Sequence, residues 1–390
     1  MTLPLFPVTN VGSWPRSRRL LDAQRDYRNG RIDAARFSAI ADSGILEFVR
    51  LQEDIGCDIF TDGELRRDNF YSFVTEKLSG TRLMTLAEML DVVEDKAGFE
   101  RLLRTLDVPA FSIRNPVCVA RLERRAPLVV EDMRYLRALT SKPIKATLPG
   151  PYILTRAMFV PEVTGRIYRS KEDLGLDVVR ILREEVEALA ADGVEFIQLD
   201  EPVLSEVSLA PGATRTFMCA ALASRKDPAE ELEFATSLIN EVVRGFDRTR
   251  IGVHVCRGNW SRDETTLLAG SYAPLAGCLE KLAVRQLVLE YATERAGAPI
   301  HVPGKELGLG VVNPRTDDIE TSDQIRKSIE GALRLYPAEA IFLNPDCGFA
   351  TFAERPMNAD AIAADKLRAI VAAARAMRPV ADAASLQCGV

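Results

Sequence analysis

The chain has 390 residues with 47% hydrophobic content, which is enough apolar material for a large buried core. Its formal net charge of −6 gives no global positive field for nucleic acid, and no apolar run reaches the roughly 18 residues of a membrane span. The 7 Cys are odd in number and scattered, and the N-terminus lacks a secretory pattern, so we expect a cytoplasmic protein without a disulfide framework.

Strand-like apolar runs alternate with helical patterns, which is typical of α/β proteins with a parallel sheet. The predicted core strands cover residues 8–11, 57–61, 144–148, 196–199, 251–255, 286–289, 306–312 and 340–343. The predicted helices cover residues 33–55, 131–138, 171–192, 229–244 and 359–376. Eight strands predict a single (β/α)8 TIM barrel. An open doubly wound sheet is the alternative, but no Gly-rich dinucleotide fingerprint follows the first strand.

Residues 68–142 fit this alternation poorly. They contain Phe70, Tyr71 and Phe73, which we expect to be buried, and an extra strand or hairpin over residues 111–120. We interpret the segment as an elaborated insertion between the second and third strands. No Gly/Ser-rich linker divides residues 1–390, so we expect one barrel domain that carries this insertion.

Polar side chains follow nearly every predicted strand. Because the active site of such barrels lies at the C-terminal ends of the strands, these side chains should converge. They are Ser13, Asp62, Glu64, Thr147, Asp200, Glu201, His254, Cys256, Glu290, Asn313, Asp346 and Cys347. Loops are polar in general, which accounts for Ser13 or Asn313. It does not account for a His, two Cys and several acids at one rim.

His254 and Cys256 are next-but-one neighbours in a strand-like run, so their side chains should point the same way. Glu290 and Cys347 close two other strands. Imidazole nitrogen, thiolate sulfur and carboxylate oxygen are ligands that Zn2+ accepts, so we predict a zinc site at His254, Cys256, Glu290 and Cys347. The alternative is that the His and the Cys are ordinary core residues.

A zinc site that keeps or exchanges one position can bind a substrate thiol and lower the pKa of that thiol. Glu64 and Asp200 could then hold an ammonium group of the same substrate, while Ser13 and nearby backbone N–H groups hold its carboxylate. The rim therefore predicts a thiol-bearing amino acid whose sulfur attacks an electrophilic carbon. For Asp200, a capped turn after a strand is the alternative.

At these residues the chain resembles the catalytic C-terminal barrel of the cobalamin-independent methionine synthase family. The matching stretches, in family order, are residues 11–15, 62–68, 148–151, 197–202 and 254–256, Glu290, and residues 344–348. The resemblance implies zinc-dependent methylation of homocysteine to methionine. It assigns zinc to His254, Cys256, Glu290 and Cys347, and it places Ser13, Glu64 and Asp200 at the amino-acid group of homocysteine. The implied partners are a small-molecule thiol and an alkyl donor.

Two departures from the family leave the alkyl donor open, and the sequence leaves the oligomeric state open as well. Full-length members carry a second, N-terminal barrel that helps to hold polyglutamylated folate, for which 390 residues leave no room. Ala157 stands where we place the Trp that packs on folate in the family. The residues that the resemblance assigns to zinc and to homocysteine are all present in the sequence.

Shorter relatives offer another reaction. The chain resembles in outline the epoxyalkane:coenzyme M transferase group, in which the zinc thiolate of coenzyme M opens an epoxide. Arg16, Arg66, Arg67 or Arg156 could pair with the sulfonate, although surface roles are more common for Arg, and the cluster at 16–19 is expected at the solvated surface. The retained acids favour an ammonium-bearing thiol instead.

Two alternatives involve no thiol alkylation. One is a barrel binding protein with a purely structural zinc ion. The other is a decarboxylase-type barrel acting on tetrapyrroles, which needs no thiolate ligands and is therefore disfavoured by Cys256 and Cys347.

Overall fold

A computed structural model of the chain describes residues 3–92, 96–97, 114–209, 227–246, 249–263 and 267–378. The strands are β1 (Leu78–Thr85), β2 (Arg114–Arg124), β3 (Lys145–Pro149), β4 (Phe196–Asp200), β5 (Arg250–Val255), β6 (Gln286–Leu289), β7 (Glu306–Val312) and β8 (Ile341–Pro345). The helices are α1 (Arg18–Arg28), α2 (Ala34–Ile55), α3 (Leu86–Val92), α4 (Val130–Leu139), α5 (Pro151–Met158), α6 (Pro161–Thr164), α7 (Lys171–Ala191), α8 (Val203–Leu209), α9 (Pro228–Val243), α10 (Ala276–Lys281), α11 (Ser322–Leu333) and α12 (Asp360–Met377). Short 3-10 turns cover Ser72–Glu76, Ala273–Leu275, Glu294–Ala296 and Ala338–Ala340.

Strands β3 to β8 form a parallel sheet in chain order. The first two predicted strands join the edges of this sheet through short parallel bridges. Val8 pairs with Leu343 of β8, Thr9 pairs with Ile59, and Phe60 pairs with Ile144 beside β3. Eight parallel segments therefore close into a ring, and the predicted (β/α)8 architecture is confirmed.

The local sequence explains these elements. Strands β3, β4 and β8 are buried at every residue, as expected for parallel strands that helices cover from outside. Helix α2 begins where the Asp33 side chain accepts the Arg36 N–H at 2.8 Å, and its apolar stripe, which includes Ile45 and Phe48, is buried against the barrel core. No helix in the described part of the chain has the length and apolar composition needed to cross a membrane.

The predicted elements lie close to the observed ones, but several elements were missed. The missed elements are α1, α3, α5, α6, α8, α10, α11 and β1. Helices α1 and α11 each bury only three residues among the described ones, so their apolar stripe is too thin to stand out from the polar background.

The insertion at 68–142 contains an antiparallel pair of strands, β1 and β2, in which Leu78 faces Arg124 and Thr85 faces Arg114. The predicted strand at 111–120 corresponds to the start of β2, and residues 111–113 lie outside the described residues. Tyr71 and Phe73 are buried as predicted, and Phe70 is half-buried.

Candidate functional site

Three of the four predicted metal ligands meet at the C-terminal ends of the barrel strands. His254 is the fifth residue of β5, Cys256 directly follows β5, and Cys347 follows β8. One ligand atom from each of these residues lies within 4.8 Å of the other two, and all three residues are buried. Imidazole and two thiols at this spacing are a donor set that a borderline-soft metal ion accepts.

The register between β4 and β5 orients the imidazole. Asp200 and His254 are paired residues of these parallel strands, so their side chains lie side by side. His254 Nδ1 lies 3.0 Å from Asp200 Oδ1, and because an ionised carboxylate only accepts, Nδ1 carries the proton. Nε2 is therefore the nitrogen that is left for a metal ion, and it lies 3.3 Å from the backbone oxygen of Asp346.

Hydrogen bonds from residues inside the barrel also position Asp200. Gln198 Nε2 donates to Asp200 Oδ1 at 2.8 Å, and the ammonium group of Lys145 donates to Gln198 Oε1 at 3.2 Å. Lys145, Gln198 and Asp200 are all buried, so a continuous hydrogen-bonded chain leads from the barrel interior to His254. Burial lowers the pKa of Lys145 to about 7, although the charges of Asp200 and Glu64 oppose that shift.

Hydrogen bonds, burial and nearby charges shift the pKa values of all three residues of the cluster. The hydrogen bond from the Cys256 thiol lowers the pKa of Cys347 and raises the pKa of Cys256. Burial lowers the pKa of His254, but the hydrogen bond to Asp200 and the charges of Cys347 and Glu290 outweigh it and raise that pKa to about 9. A metal ion that binds here must displace protons.

The fourth predicted ligand, Glu290, is buried beside the cluster but belongs to a different set of contacts. Its Oε1 accepts the backbone N–H of Arg257 at 2.9 Å and a hydrogen bond from the Asn259 amide, and its Oε2 accepts from Arg295 at 3.1 Å. Among the described residues, the group that brings ligand atoms within 4.8 Å contains His254, Cys256 and Cys347 without Glu290.

The three predicted substrate residues, Ser13, Glu64 and Asp200, line one cleft together with His254 and Cys256. Glu64 Oε1 accepts from the Thr147 hydroxyl at 2.8 Å and lies 3.8 Å from Arg67. Glu64 Oε2 is buried and has no hydrogen-bond partner among the described residues. Burial raises the pKa of Glu64, while the charge of Arg67 lowers it.

Glu64 and Ser13 depend on close approaches of backbone. Glu64 has a φ of 55°, a left-handed conformation that costs energy for a residue with a side chain. A Cβ atom on Gly12 would lie 2.3 Å from Glu64 Oε1, and a Cβ atom on Gly348 would lie 2.1 Å from Ser13 Oγ. Both glycines are therefore needed for these side chains to stand where they do.

Four aromatic side chains, which we call the aromatic wall, also line the cleft. They are Phe70 and Tyr71 from the insertion, Trp260 from the loop after β5, and Phe352 from the loop after β8. These aromatic rings stand on loops whose spacing carries no signal, so sequence reasoning missed them as site residues. Ala157, the residue that our sequence analysis placed at the position of the family Trp, is buried in α5 and does not line the cleft.

The four arginines considered for a sulfonate do not line this cleft. Arg16 is buried, which corrects its expected place at the solvated surface, and it donates to the backbone oxygens of Trp14, Glu64, Arg67 and Ala350. Arg66 pairs with Asp42 and Asp132, and Arg67 and Arg156 are buried with acids nearby.

Lys145 and Gln198 were also missed. The signal that could have found them is the alternation of polar residues in otherwise apolar strands: Lys145 and Thr147 in β3, and Gln198 and Asp200 in β4. Residues two apart on a strand face the same side, here the barrel interior. The second histidine of the chain, His301, is exposed, and its ring centre lies 5.2 Å from that of Tyr336.

Comparison with known proteins gives one consistent family. Residues 6–376 match the family described as "Cobalamin-independent synthase, Catalytic domain". The chain is 28% identical over 382 residues to a methionine synthase of Pyrococcus abyssi, covering 97% of this chain and 94% of that protein. It is 27% identical over 354 residues to a 5-methyltetrahydropteroyltriglutamate--homocysteine methyltransferase of Bacillus licheniformis, covering 90% of this chain but only 40% of that longer protein.

Solved structures agree on the fold. The B12-independent methionine synthase from Shewanella sp. W3-18-1, solved in complex with selenomethionine, superposes with a TM-score of 0.70 at 21% identity. The match covers 95% of this chain and 97% of that one.

Proposed function

The chain belongs to the family of cobalamin-independent synthase catalytic domains, methionine synthase-like methyltransferases, and on that premise we propose that it is a zinc-dependent methyltransferase that converts homocysteine to methionine. The observation that carries the proposal is the shared cleft. A buried His–Cys–Cys group and three side chains suited to an amino-acid head group line or adjoin the same cavity.

The residues of the cluster fit zinc by their chemistry. His254, Cys256 and Cys347 would hold the ion, and Glu290 would be a fourth ligand if its carboxylate turned from Asn259 and Arg295. Zinc in such a site lowers the pKa of a substrate thiol, so that the sulfur is nucleophilic at neutral pH.

Glu64, Asp200 and Ser13 would bind and orient homocysteine. The unpartnered Oε2 of Glu64 and the carboxylate of Asp200 accept hydrogen bonds from the ammonium group. The Ser13 hydroxyl donates to the carboxylate of the substrate. With both ends held, the side-chain sulfur reaches toward His254 and Cys256, which line the same cleft.

The aromatic wall would hold the methyl donor. The named substrate of the Bacillus relative is a methylated pteridine, whose flat ring system stacks well on aromatic side chains such as Trp260 and Phe352. The sulfur of homocysteine, having lost its proton, attacks the methyl carbon and forms a C–S bond. The bond from that carbon to the donor atom breaks, and the donor atom keeps the electron pair and takes up a proton.

Zinc X-ray absorption tests this proposal, with homocysteine and coenzyme M added in separate samples. We expect a new sulfur neighbour near about 2.3 Å from zinc with homocysteine, together with methionine formation from 5-methyltetrahydropteroyltriglutamate. A spectrum that neither thiol changes would leave zinc structural and overturn the proposal. A change with coenzyme M alone would favour epoxide opening, for which the described lining of the cleft offers no Arg or Lys side chain to meet a sulfonate.

A further inference from the structure

The aromatic wall shares its cleft with acidic side chains. Glu64 and Asp200 line this cleft, and its described lining contains no Arg or Lys side chain. The face of an aromatic ring is the negative part of the ring quadrupole, so it attracts a cation as a carboxylate does. The described lining of the cleft is therefore suited to a ligand that carries positive charge on an apolar group.

Two rings of the aromatic wall have no cation of the protein over them. Elsewhere the chain covers aromatic rings with its own Arg side chains: the guanidinium carbon of Arg257 lies 3.6 Å from the ring centre of Tyr272. Among the described residues, no Arg or Lys lies over the ring of Phe70 or of Phe352 in this way. Both of these side chains are half-buried, so a cation supplied by a ligand can take that place.

The charges of the site favour a cation in this cleft. When Glu64 and Asp200 are ionised they carry two negative charges, and homocysteine bound as a thiolate adds one more in net. Phe352 also borders a second cleft, which four arginines line among the described residues and where a cation would be repelled. A cationic group that contacts Phe352 is therefore assigned to the cleft that contains the two acids.

We propose that the cleft also accepts a methyl donor of the onium class, a sulfonium or quaternary ammonium ion whose methyl groups lie against the aromatic wall. This inference rests on the proposed function in one respect, since it takes homocysteine to be the methyl acceptor. The charge of an onium ion is spread over methyl groups that form no strong hydrogen bonds. Aromatic faces and nearby carboxylates can therefore recognise it without a dedicated polar partner.

The reaction with an onium donor is a displacement at the methyl carbon. The thiol of homocysteine loses its proton to water, and the thiolate sulfur attacks a methyl carbon of the donor and forms a C–S bond. The bond from that carbon to the onium atom breaks, and the onium atom keeps the electron pair. A sulfonium ion thus leaves as a neutral sulfide and takes up no proton. Because a negative and a positive group attract each other more strongly in a cleft of low polarity than in water, the lining brings the two reactants together.

The kinetic test supplies trimethylsulfonium as the donor to zinc-loaded protein with homocysteine. We expect methionine and dimethyl sulfide in equal amounts, formed faster than without protein. In the double variant Phe70→Leu/Phe352→Leu, which removes two aromatic faces from half-buried positions, kcat/KM for trimethylsulfonium should fall about tenfold. The matched control is Phe246→Leu, at a half-buried position that does not line the cleft. Absence of methionine, or an equal kcat/KM in the double variant and the control, would overturn the inference.

A binding test isolates the contribution of the positive charge. Choline and 3,3-dimethyl-1-butanol have the same shape, but a neutral carbon in the second replaces the charged nitrogen of the first. We expect the wild type and Phe246→Leu to bind choline about tenfold more tightly than the neutral alcohol, and Phe70→Leu/Phe352→Leu to lose this preference. Titrations followed by saturation-transfer NMR measure it. Equal binding of the two compounds to the wild type would contradict recognition of a cation.

A comparison of donors separates this inference from the proposed function. If methionine forms from 5-methyltetrahydropteroyltriglutamate but not from trimethylsulfonium, the onium inference fails and the proposed function stands. If trimethylsulfonium methylates homocysteine and the pteridine does not, the onium inference stands and the pteridine donor of the proposed function fails. If neither donor yields methionine, both fail.

Discussion

Two parts of the cleft are positioned in different ways. The metal side consists of His254, Cys256 and Cys347 together with Asp200, and the acid side consists of Glu64 and Asp200 together with Ser13. Strand register fixes the metal side: His254 and Asp200 are paired on β5 and β4, and their side chains meet at 3.0 Å. Loop geometry fixes the acid side, because Glu64 sits in a left-handed turn and stands against Gly12. One site can therefore combine residues that strand pairing holds in place with residues whose position depends on the backbone angles of a single turn.

The strongest test of the metal side is removal of one ligand. Cys347→Ser should lower zinc affinity by more than about a hundredfold and abolish methyl transfer, because loss of a residue that merely orients a ligand already costs about 10–100-fold. Zinc content after dialysis and a methionine assay measure this. Cys278→Ser is the matched control, since Cys278 is buried on α10 outside the cluster. Full zinc occupancy and rate in Cys347→Ser would refute the site.

Asp200 belongs to both sides, and its variants therefore separate their contributions. Asp200→Ala should lower zinc affinity by about 10–100-fold, because His254 loses the acceptor that orients it, and should also raise the KM for homocysteine. Asp200→Asn keeps an acceptor and should retain more zinc. Competition with a chromophoric chelator measures the affinity. Unchanged zinc affinity in Asp200→Ala would remove Asp200 from the metal side.

Glu64 should act on the acid side alone. Glu64→Gln keeps the shape of the side chain but removes the charge that meets an ammonium group, so the KM for homocysteine should rise about tenfold while zinc content stays at the wild-type level. Steady-state kinetics and metal analysis on the same preparation test the split. Loss of zinc in Glu64→Gln would show that the two sides are not separable.

Lys145 lies beneath both sides and gives the smallest effect. Its pKa of about 7 is depressed from 10.5, so above pH 7 the unfolded chain holds more protons and the unfolding free energy of the wild type rises with pH. Well below pH 7 the Lys145 ammonium group is charged in the folded protein, and the cost of burying that charge lowers the unfolding free energy in full. Relative to Lys145→Met, the wild type should therefore gain about 1 kcal/mol between pH 7 and pH 8, measured by urea unfolding. A constant difference would contradict the depressed pKa.

The sequence predicts contacts that arise within one strand, but not contacts that depend on how distant segments pack. Alternation along one strand brought His254 and Cys256 together correctly, because a strand has a period of two residues. The bond between Asp200 and His254 depends on register between two strands, which no single-strand pattern contains. Arg16 was expected at the surface, because the local sequence does not reveal that its guanidinium group donates to three backbone oxygens of distant residues as well as to that of Trp14.

The aromatic wall marks the limit of the same reasoning. Comparison with the family drew attention to Ala157 as a lost stacking surface, yet Phe70, Tyr71, Trp260 and Phe352 supply aromatic surface from other loops. A position-by-position match records which side chain is missing. It does not record which neighbour fills the same space in three dimensions.

The eight strands of the ring are not paired over equal lengths, and this affects which part of the barrel opens most easily. Residues 8–9 and 59–60 are held to each other and to the neighbouring strands by isolated bridges. Examples are the hydrogen bonds from Thr9 N–H to the Leu343 oxygen at 3.1 Å and from Phe60 N–H to the Pro143 oxygen at 2.9 Å, whereas β4 and β5 pair along five residues. Amide hydrogens at the weak seam should exchange with solvent sooner than those of β4 and β5. Ser13 and Glu64 follow the seam segments, while His254 follows the firm sheet. Slow opening of the seam would therefore release the amino-acid end of a product and leave the cluster intact.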